Sequence, residues 1–488
     1  MNTRRKTKTP RPEGRTVRRR WRALFLPIAA AVMVIGCDLE VMAPATVDEE
    51  SLTDYMAIGA FVAGIQGQIS YLSHGHVGPV GGTQTFGALR TDELVHSGHL
   101  GQYPMLRVYS DGDRLPEDAP DMDQFWMGAM KLRYLADFGV QRAKYVYEKY
   151  EDSSRPAEVR RVTRDRMRVY AWAGLAYRIL GDNFCHAIID GGPALSNLVF
   201  YHRGLAFLNE GIEFAETADV GEVDEHGLNA AYAVRAQIRL MLGDFEGAAE
   251  DAARIATGYG GLRTGGTGLE PGDRQRNWLR WIDFLEERNM TLWGTPFADW
   301  GYNTRFNTGV DMRVPFSDRQ TGSNPHREWG GDDRRRWFRQ EKELGVNEGW
   351  RVVHGREMRL IQAEALIRAG DLAGGMAQIN ELREWWNAPT GGRFAADGHP
   401  LEILEVPETQ EEAWELLVRE RGIELWLEGR RLPDIRRWQY DPGYVPTSVV
   451  RETMSGRMEN DPLRNVLDIP GEFCLPIGAT ERRLNPYL

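Results

Sequence analysis

The sequence predicts an all-α fold, in which helix pairs carry long elaborated loops and minor β-hairpins. Three observations predict it. Apolar residues recur at three-to-four spacing over 123–150 and 162–180, as amphipathic helices require. A Gly-Asp dipeptide closes a helical stretch at 181–182, 243–244 and 370–371, each with a small residue seven positions earlier, Gly174, Ala236 and Ala363. Between about 257 and 347 this periodicity fails over a stretch rich in Gly, Arg, Trp and Pro. A loop region of that length in a helical body is functional or disordered, and Trp278, Trp281, Trp293, Phe297, Trp300 and Tyr302 argue for order.

The N-terminus sets the compartment. A basic stretch ending in Arg18-Arg19-Arg20-Trp21-Arg22 precedes the uncharged run 23–36, the layout of a secretory signal. That run is shorter than the roughly 20 residues a membrane span needs. It ends at Val34-Ile35-Gly36-Cys37, which resembles a bacterial lipobox, so Cys37 is the expected lipidation site. The expected organisation is a removed signal at 1–36, a lipidated tether at 37–55 and a single domain at 56–488. Asp38 and Glu40 resemble the acidic tether of some surface lipoproteins. With a formal charge of −11 overall, and ten Lys/Arg against one Glu in residues 1–36, the remainder sits at −11 − 9 = −20. So acidic a body is unsuited to binding nucleic acid through its phosphates. Hydrophobic residues at 42% and 15 Trp exclude bulk disorder.

Only Cys185 and Cys474 follow Cys37, and in an oxidising compartment they are a disulfide candidate, the alternative being two buried thiols. Closing so long a loop is worth about 4–5 kcal/mol in the chain-entropy account.

Around the second Gly-Asp, residues Ala233, Ala236, Leu240, Phe245, Ala248 and Ala249 put small side chains where antiparallel helices approach, with Gly243 supplying a left-handed turn. The pattern resembles interrupted tetratricopeptide repeats. Residues 411–431 read as one further helix, ended by Gly429 and Pro433, on which Glu420, Arg421, Glu424, Glu428, Arg431, Asp434 and Arg437 interleave with apolar positions. This segment resembles the C-terminal signature of the SusD/RagB family of nutrient-uptake lipoproteins. Ala363-Glu364-Ala365, Asn380 with Arg383, Leu475-Pro476-Ile477 with Glu481, and Asn485-Pro486 extend the resemblance, with Thr91-Asp92-Glu93 as a weaker match; Asn183-Phe184-Cys185 departs from the family pattern.

The resemblance implies a tetratricopeptide scaffold anchored in the outer membrane, facing the cell exterior. It implies a SusC-like TonB-dependent transporter as partner and an oligosaccharide or peptide as ligand. No enzymatic activity and no cofactor are expected. The interleaved carboxylates and arginines read as a structural ion network, because a helix that buries Glu needs Arg partners. Phosphate-loop, zinc-helix and nucleophile-elbow motifs are missing from the sequence. His74, His76, His96 and His99 match no zinc spacing, and Glu357 and Glu364, with Arg356, Arg359 and Arg368 nearby, read as a solvated ion-paired face.

Sugar capture needs aromatic platforms for apolar ring faces and polar groups for hydroxyls. Trp293, Trp300 and Tyr302, with Asp92, His96 and Tyr103, are the expected ligand contacts, whereas Trp172, Trp414 and Trp426 sit on helical faces and belong to the core. The competing expectation is a tetratricopeptide-like envelope scaffold that binds protein partners only.

Overall fold

The computed structural model describes residues 51–74, 81–97, 104–111, 115–116, 118–218, 224–264, 289–318, 336–342, 349–440 and 473–488. Cys37 and Tyr103 lie outside the described residues. The chain divides into Met1–Glu49 and Glu50–Leu488, and every element below belongs to the second unit.

Helices dominate. In chain order they begin with α1 (Ala57–His74), α2 (Thr83–Arg90), α3 (Pro104–Asp111), α4 (Pro120–Tyr150), α5 (Pro156–Asn183) and α6 (Leu198–Thr217). Pro120 and Pro156 open α4 and α5 at the first helical position, where a missing N–H costs nothing. The α5–α6 contact alternates absence and bulk. A β-carbon on Gly174 would stand 2.5 Å from Leu208, and one on Gly211 2.6 Å from Tyr170. Each helix thus receives the other's large side chain where it has none, which brings the axes close.

Helices α7 (Glu225–Met241) and α8 (Phe245–Ala253) form the pair expected at the second Gly-Asp. Gly243 takes φ +79°, and the Asp244 carboxylate caps α8 by accepting the Gly247 N–H at 3.0 Å. The same device recurs further along the chain. After the short α9 (Pro296–Trp300) come α10 (Gly355–Arg368) and α11 (Leu372–Asn387), joined by Gly370 at φ +82° with Asp371 accepting the Gly374 N–H at 2.8 Å. The 181–182 copy differs from its expected role. Gly181 and Asp182 remain inside α5, where Gly181 admits the Tyr201 ring and Asp182 accepts from arginines.

The aromatic-rich loop region is ordered in its described parts by short strands too brief for a clear period-two signal. Strands β6 (Gly301–Asn303), β7 (Thr308–Gly309), β8 (Asp311–Asp318) and β9 (Phe338–Gln340) form one sheet in the order β7-β6-β8-β9, with β6 and β8 parallel. Three two-stranded antiparallel ladders join distant segments: β1 (Val95–His96) with β5 (Met290–Thr291), β2 (His186–Ala187) with β3 (Leu195–Ser196), and β4 (Leu262–Thr264) with β10 (Trp350–Val353).

The helix expected over 411–431 is two helices. α12 (Gln410–Glu424) starts with a capping box between Thr409 and Glu412, and α13 (Arg431–Tyr440) follows. Between them Leu427 takes φ +58° and Gly429 φ +68°. Pro433, expected to end a helix, instead sits in the first turn of α13, where it is tolerated. Trp414 and Trp426 are fully buried, and Trp172 lies in the same core. Among the described residues no helix is long and apolar enough to cross a membrane.

The terminal helix α14 (Ala479–Leu484) follows a strand-like bridge, in which the Leu475 N–H donates to the Asn183 carbonyl and the Cys185 N–H to the Leu475 carbonyl. Cys185 and Cys474 beside it are bonded, 289 residues apart in sequence. Replacing both cysteines by serine is expected to destabilise the fold by about 4–5 kcal/mol, read as a lowered urea midpoint. Equal midpoints for the variant and the oxidised parent would show that the bond contributes nothing.

Candidate functional site

The signature residues are buried and paired. Arg421 donates through Nε and Nη2 to Asp434 at 3.0 and 2.9 Å, and Asp434 also accepts from Arg437 Nε at 3.0 Å. Arg437 then reaches Glu364 on α10, which Arg368 contacts at 3.0 Å. Arg430 bridges Asp182 on α5, at 2.7 Å, to Glu357 on α10, at 3.0 Å. On the sheet side, Arg313 of β8 contacts Asp311, Glu420 and Glu424 at 2.7, 2.7 and 3.3 Å. Arg383 holds the second oxygen of Glu420 at 2.7 Å, and Arg356 and the Trp386 indole hold Glu424 at 2.6 and 2.7 Å. Glu428 lies between His354 at 2.7 Å and Lys342 at 3.0 Å.

Taking one such ion from water costs several kcal/mol, which paired geometry of this kind can offset. The charge pattern follows. Although burial alone would raise their pKa values, neighbouring arginines hold Glu364, Glu424 and Asp434 below the usual carboxylate range, while Lys342 and His354 do so for Glu428. Glu357 and Glu364, expected on a solvated face, are 1% and 0% exposed. Arg368 of α10 pairs with Glu364 as the spacing suggests, but the burial comes from Arg437 and Arg430, in α13 and just before it, which periodicity within α10 could not reveal.

Asp92, expected to contact ligand, is instead locked in this framework. Arg431 donates to its two oxygens at 2.8 and 2.7 Å, and the residue is 1% exposed. Its neighbour Glu93 accepts the Leu427 N–H at 2.6 Å, fixing the left-handed turn between α12 and α13 from a position 334 residues earlier. Burial, with Asp92 alongside, pushes the Glu93 carboxyl up to about 8. The Thr91-Asp92-Glu93 tripeptide is therefore the N-terminal half of the signature's packing.

His96 is also closed to a ligand, buried in the β1–β5 ladder opposite Met290. That ladder brings the N-terminal segment to the loop region through backbone pairing. Tyr302 is buried in β6, with its hydroxyl 2.8 Å from Asn307 and 3.1 Å from His399. Trp293 and Trp300 are half-buried and retain open surface. Trp300 packs edge-on against Phe297, with the Arg419 guanidinium 5.7 Å from its ring centroid. Trp385 and Trp386, singled out by no sequence argument, are half-buried beside the Arg356 guanidinium, 5.0 and 5.1 Å from their centroids.

A helical scaffold with an aromatic loop region and a charge-stapled C-terminus has counterparts among known proteins. Residues 294–488 match the family model described as the SusD family. A SusD homolog from Bacteroides thetaiotaomicron superposes with TM-score 0.63 at 15% identity, covering 91% of this chain and 98% of that one. A SusD superfamily protein from Parabacteroides distasonis gives 0.61 at 12% identity, over 91% and 99%. Surface glycan-binding protein A from Bacteroides uniformis gives 0.52 at 15% identity, over 88% and 98%. No curated protein sequence matches. The resemblance to SusD/RagB proteins and the helical fold class expected from the sequence are both borne out.

Arg431→Met strands Asp92 as a buried unpaired charge and is expected to cost about 3–5 kcal/mol in denaturant unfolding, with Asp92→Asn in the same chain restoring part of the loss. Additive losses would show that the pair is uncoupled. Glu93→Gln tests a different charge state. Below pH 4.5 Glu93 is neutral in both states; as pH rises from there to about 8 only the unfolded chain ionises, so the parent loses stability. The melting-temperature advantage of Glu93→Gln should therefore grow over that window, by on the order of 5 °C, and level off above it. A difference independent of pH would mean that Glu93 is ionised when folded.

Proposed function

We propose that this chain is a cell-surface lipoprotein that binds an oligomeric nutrient, in the first place a glycan, and delivers it to a SusC-like TonB-dependent outer membrane transporter. The observation that carries this reading is the SusD family match over 294–488, joined to a fold shared along most of the chain with SusD superfamily structures. Among those neighbours are a protein described as a surface glycan-binding protein and a SusD-like carbohydrate binding protein from Bacteroides vulgatus. In this reading residues 1–36 are removed, Cys37 carries the lipid and 37–55 form the tether. Outer-membrane placement facing the exterior follows from the same reading.

Stacking on Trp293 and Trp300 would bury the C–H face of a sugar ring, with a few such anchors supplying most of the affinity. The reading is one of binding without turnover. Glu357 and Glu364, the carboxylates most easily imagined as an acid and a base, are engaged with arginines, which favours positioning over proton transfer.

One observation favours protein contact as well. Met127, Tyr134 and Tyr145 follow one another along a single face of α4 and are 63%, 58% and 50% exposed. That stripe suits the transporter, and in the competing scaffold reading it would be the whole function.

The mature protein should retain one oligomer class on a glycan and peptide array and release no products. Trp293→Ala with Trp300→Ala should weaken retention about tenfold or more while circular dichroism stays unchanged. Product formation would replace capture with catalysis; silence on every ligand, together with transporter co-purification, would favour the scaffold.

A further inference from the structure

A straight segment crosses the surface between α11 and α12. Residues 401–407 contain no helix, turn or bend, and α11 holds them by their backbone. The Asn387 amide donates to the Leu401 carbonyl at 2.9 Å and accepts its N–H at 2.7 Å. The Asn380 amide does the same for Leu404 at 2.8 and 2.9 Å, and between them Arg383 Nε donates to the Glu402 carbonyl at 2.6 Å. The two spacings match, because seven helical residues rise about 10.5 Å and three extended residues about 9–10 Å. Each asparagine thus meets a peptide group as a neighbouring strand would, and the segment is held straight outside any sheet.

Its outward groups are left without partners. Leu401 is buried and Leu404 half-buried, but Ile403 and Val406 are 46% and 53% exposed. The backbone N–H and C=O groups of Ile403, Glu405 and Val406 make no hydrogen bond among the described residues. Glu402, Glu405 and Glu408 alternate with the two aliphatics, and their carboxylates bond to no other described residue. From 401 to 418 the chain holds six glutamates, all exposed, and no Lys, Arg or His. Charge on an open edge guards against self-pairing, and here it opposes a second copy of this chain, whose glutamates would meet these. Exposed aliphatics and unpaired peptide groups set between those charges suit a chain of the opposite sign.

We infer that residues 402–406 dock an extended, cationic segment of a partner protein. That segment pairs with the free peptide groups, covers Ile403 and Val406, and sets Lys or Arg against Glu402, Glu405 and Glu408. Charge complementarity selects the partner, and the clamp on α11 orders the edge before binding, which lowers the cost of docking. The inference is independent of which oligomer the protein captures.

The test uses the full-length lipoprotein in detergent and three octapeptide probes: alternating Lys-Val, alternating Lys-Ser of the same charge, and alternating Glu-Val. By isothermal titration Lys-Val should bind at least about tenfold more tightly than Lys-Ser, and Glu-Val should not bind. Hydrogen exchange of 402–406 should slow when Lys-Val is added. Ile403→Ser with Val406→Ser leaves every charge in place and alters only exposed side chains, so the melting temperature should match the parent's while Lys-Val affinity falls about tenfold. Equal Lys-Val affinity for the parent and the double variant, or slowed exchange elsewhere with 402–406 unchanged, would show attraction to the acidic body in general and overturns the inference. Absence of Lys-Val binding overturns it too, as does self-association of the parent that the double variant lacks, which would make a second copy the occupant.

Discussion

The pairing of guanidinium and carboxylate groups inside the protein is the constraint on which the rest of the structure depends. Arg430 and Arg421 are both fully buried: Arg430 joins Asp182 of α5 to Glu357 of α10, each distant in sequence, and Arg421 ties α12 to Asp434 of α13. Apolar packing alone would tolerate small rotations of these helices, because dispersion contacts are many and weak. A buried charge is less forgiving. An arginine displaced by an ångström from its carboxylate leaves two unsolvated ions, so the charge lattice selects one arrangement of the helices around it.

The lattice also explains how the N-terminal third is tied to the C-terminus. Asp92 and Glu93 reach Arg431 and the Leu427 N–H, Gln84 reaches the Leu427 carbonyl, and the Cys185–Cys474 bond with its adjacent backbone bridge closes the chain at a second point. Within the C-terminal part, the Asn380 amide donates to and accepts from the Leu404 backbone at 2.8 and 2.9 Å, which holds the segment after α11 against that helix. The loops that carry Trp293 and Trp300 take no part in these ties. In the proposed capture role, that separates the residues that would meet a ligand from those that hold the frame.

Much of the frame was legible in the sequence because its causes are local. The Gly-Asp turns at 243 and 370 need a left-handed residue and a cap, and both are written in consecutive letters. The first Gly-Asp misled for the same reason: nothing local distinguishes a glycine that turns a chain from Gly181, which makes room for Tyr201. The 411–431 helix looked continuous because its charges and apolar residues keep their period through Leu427, whose turn is dictated by Glu93 from far away. The residues expected to contact ligand were the least legible. Asp92, His96 and Tyr302 are residue types that bind sugars, but their burial is decided by partners that only the fold brings near.

Native-state hydrogen exchange tests the central claim that the charge lattice makes the C-terminal helices part of one cooperative unit with the scaffold. Backbone amides of α12 and α13 should open only with α5 and α10, sharing one free energy and one denaturant dependence. Exchange of α12 and α13 through a separate, lower-energy opening, with α5 and α10 still protected, would contradict the account.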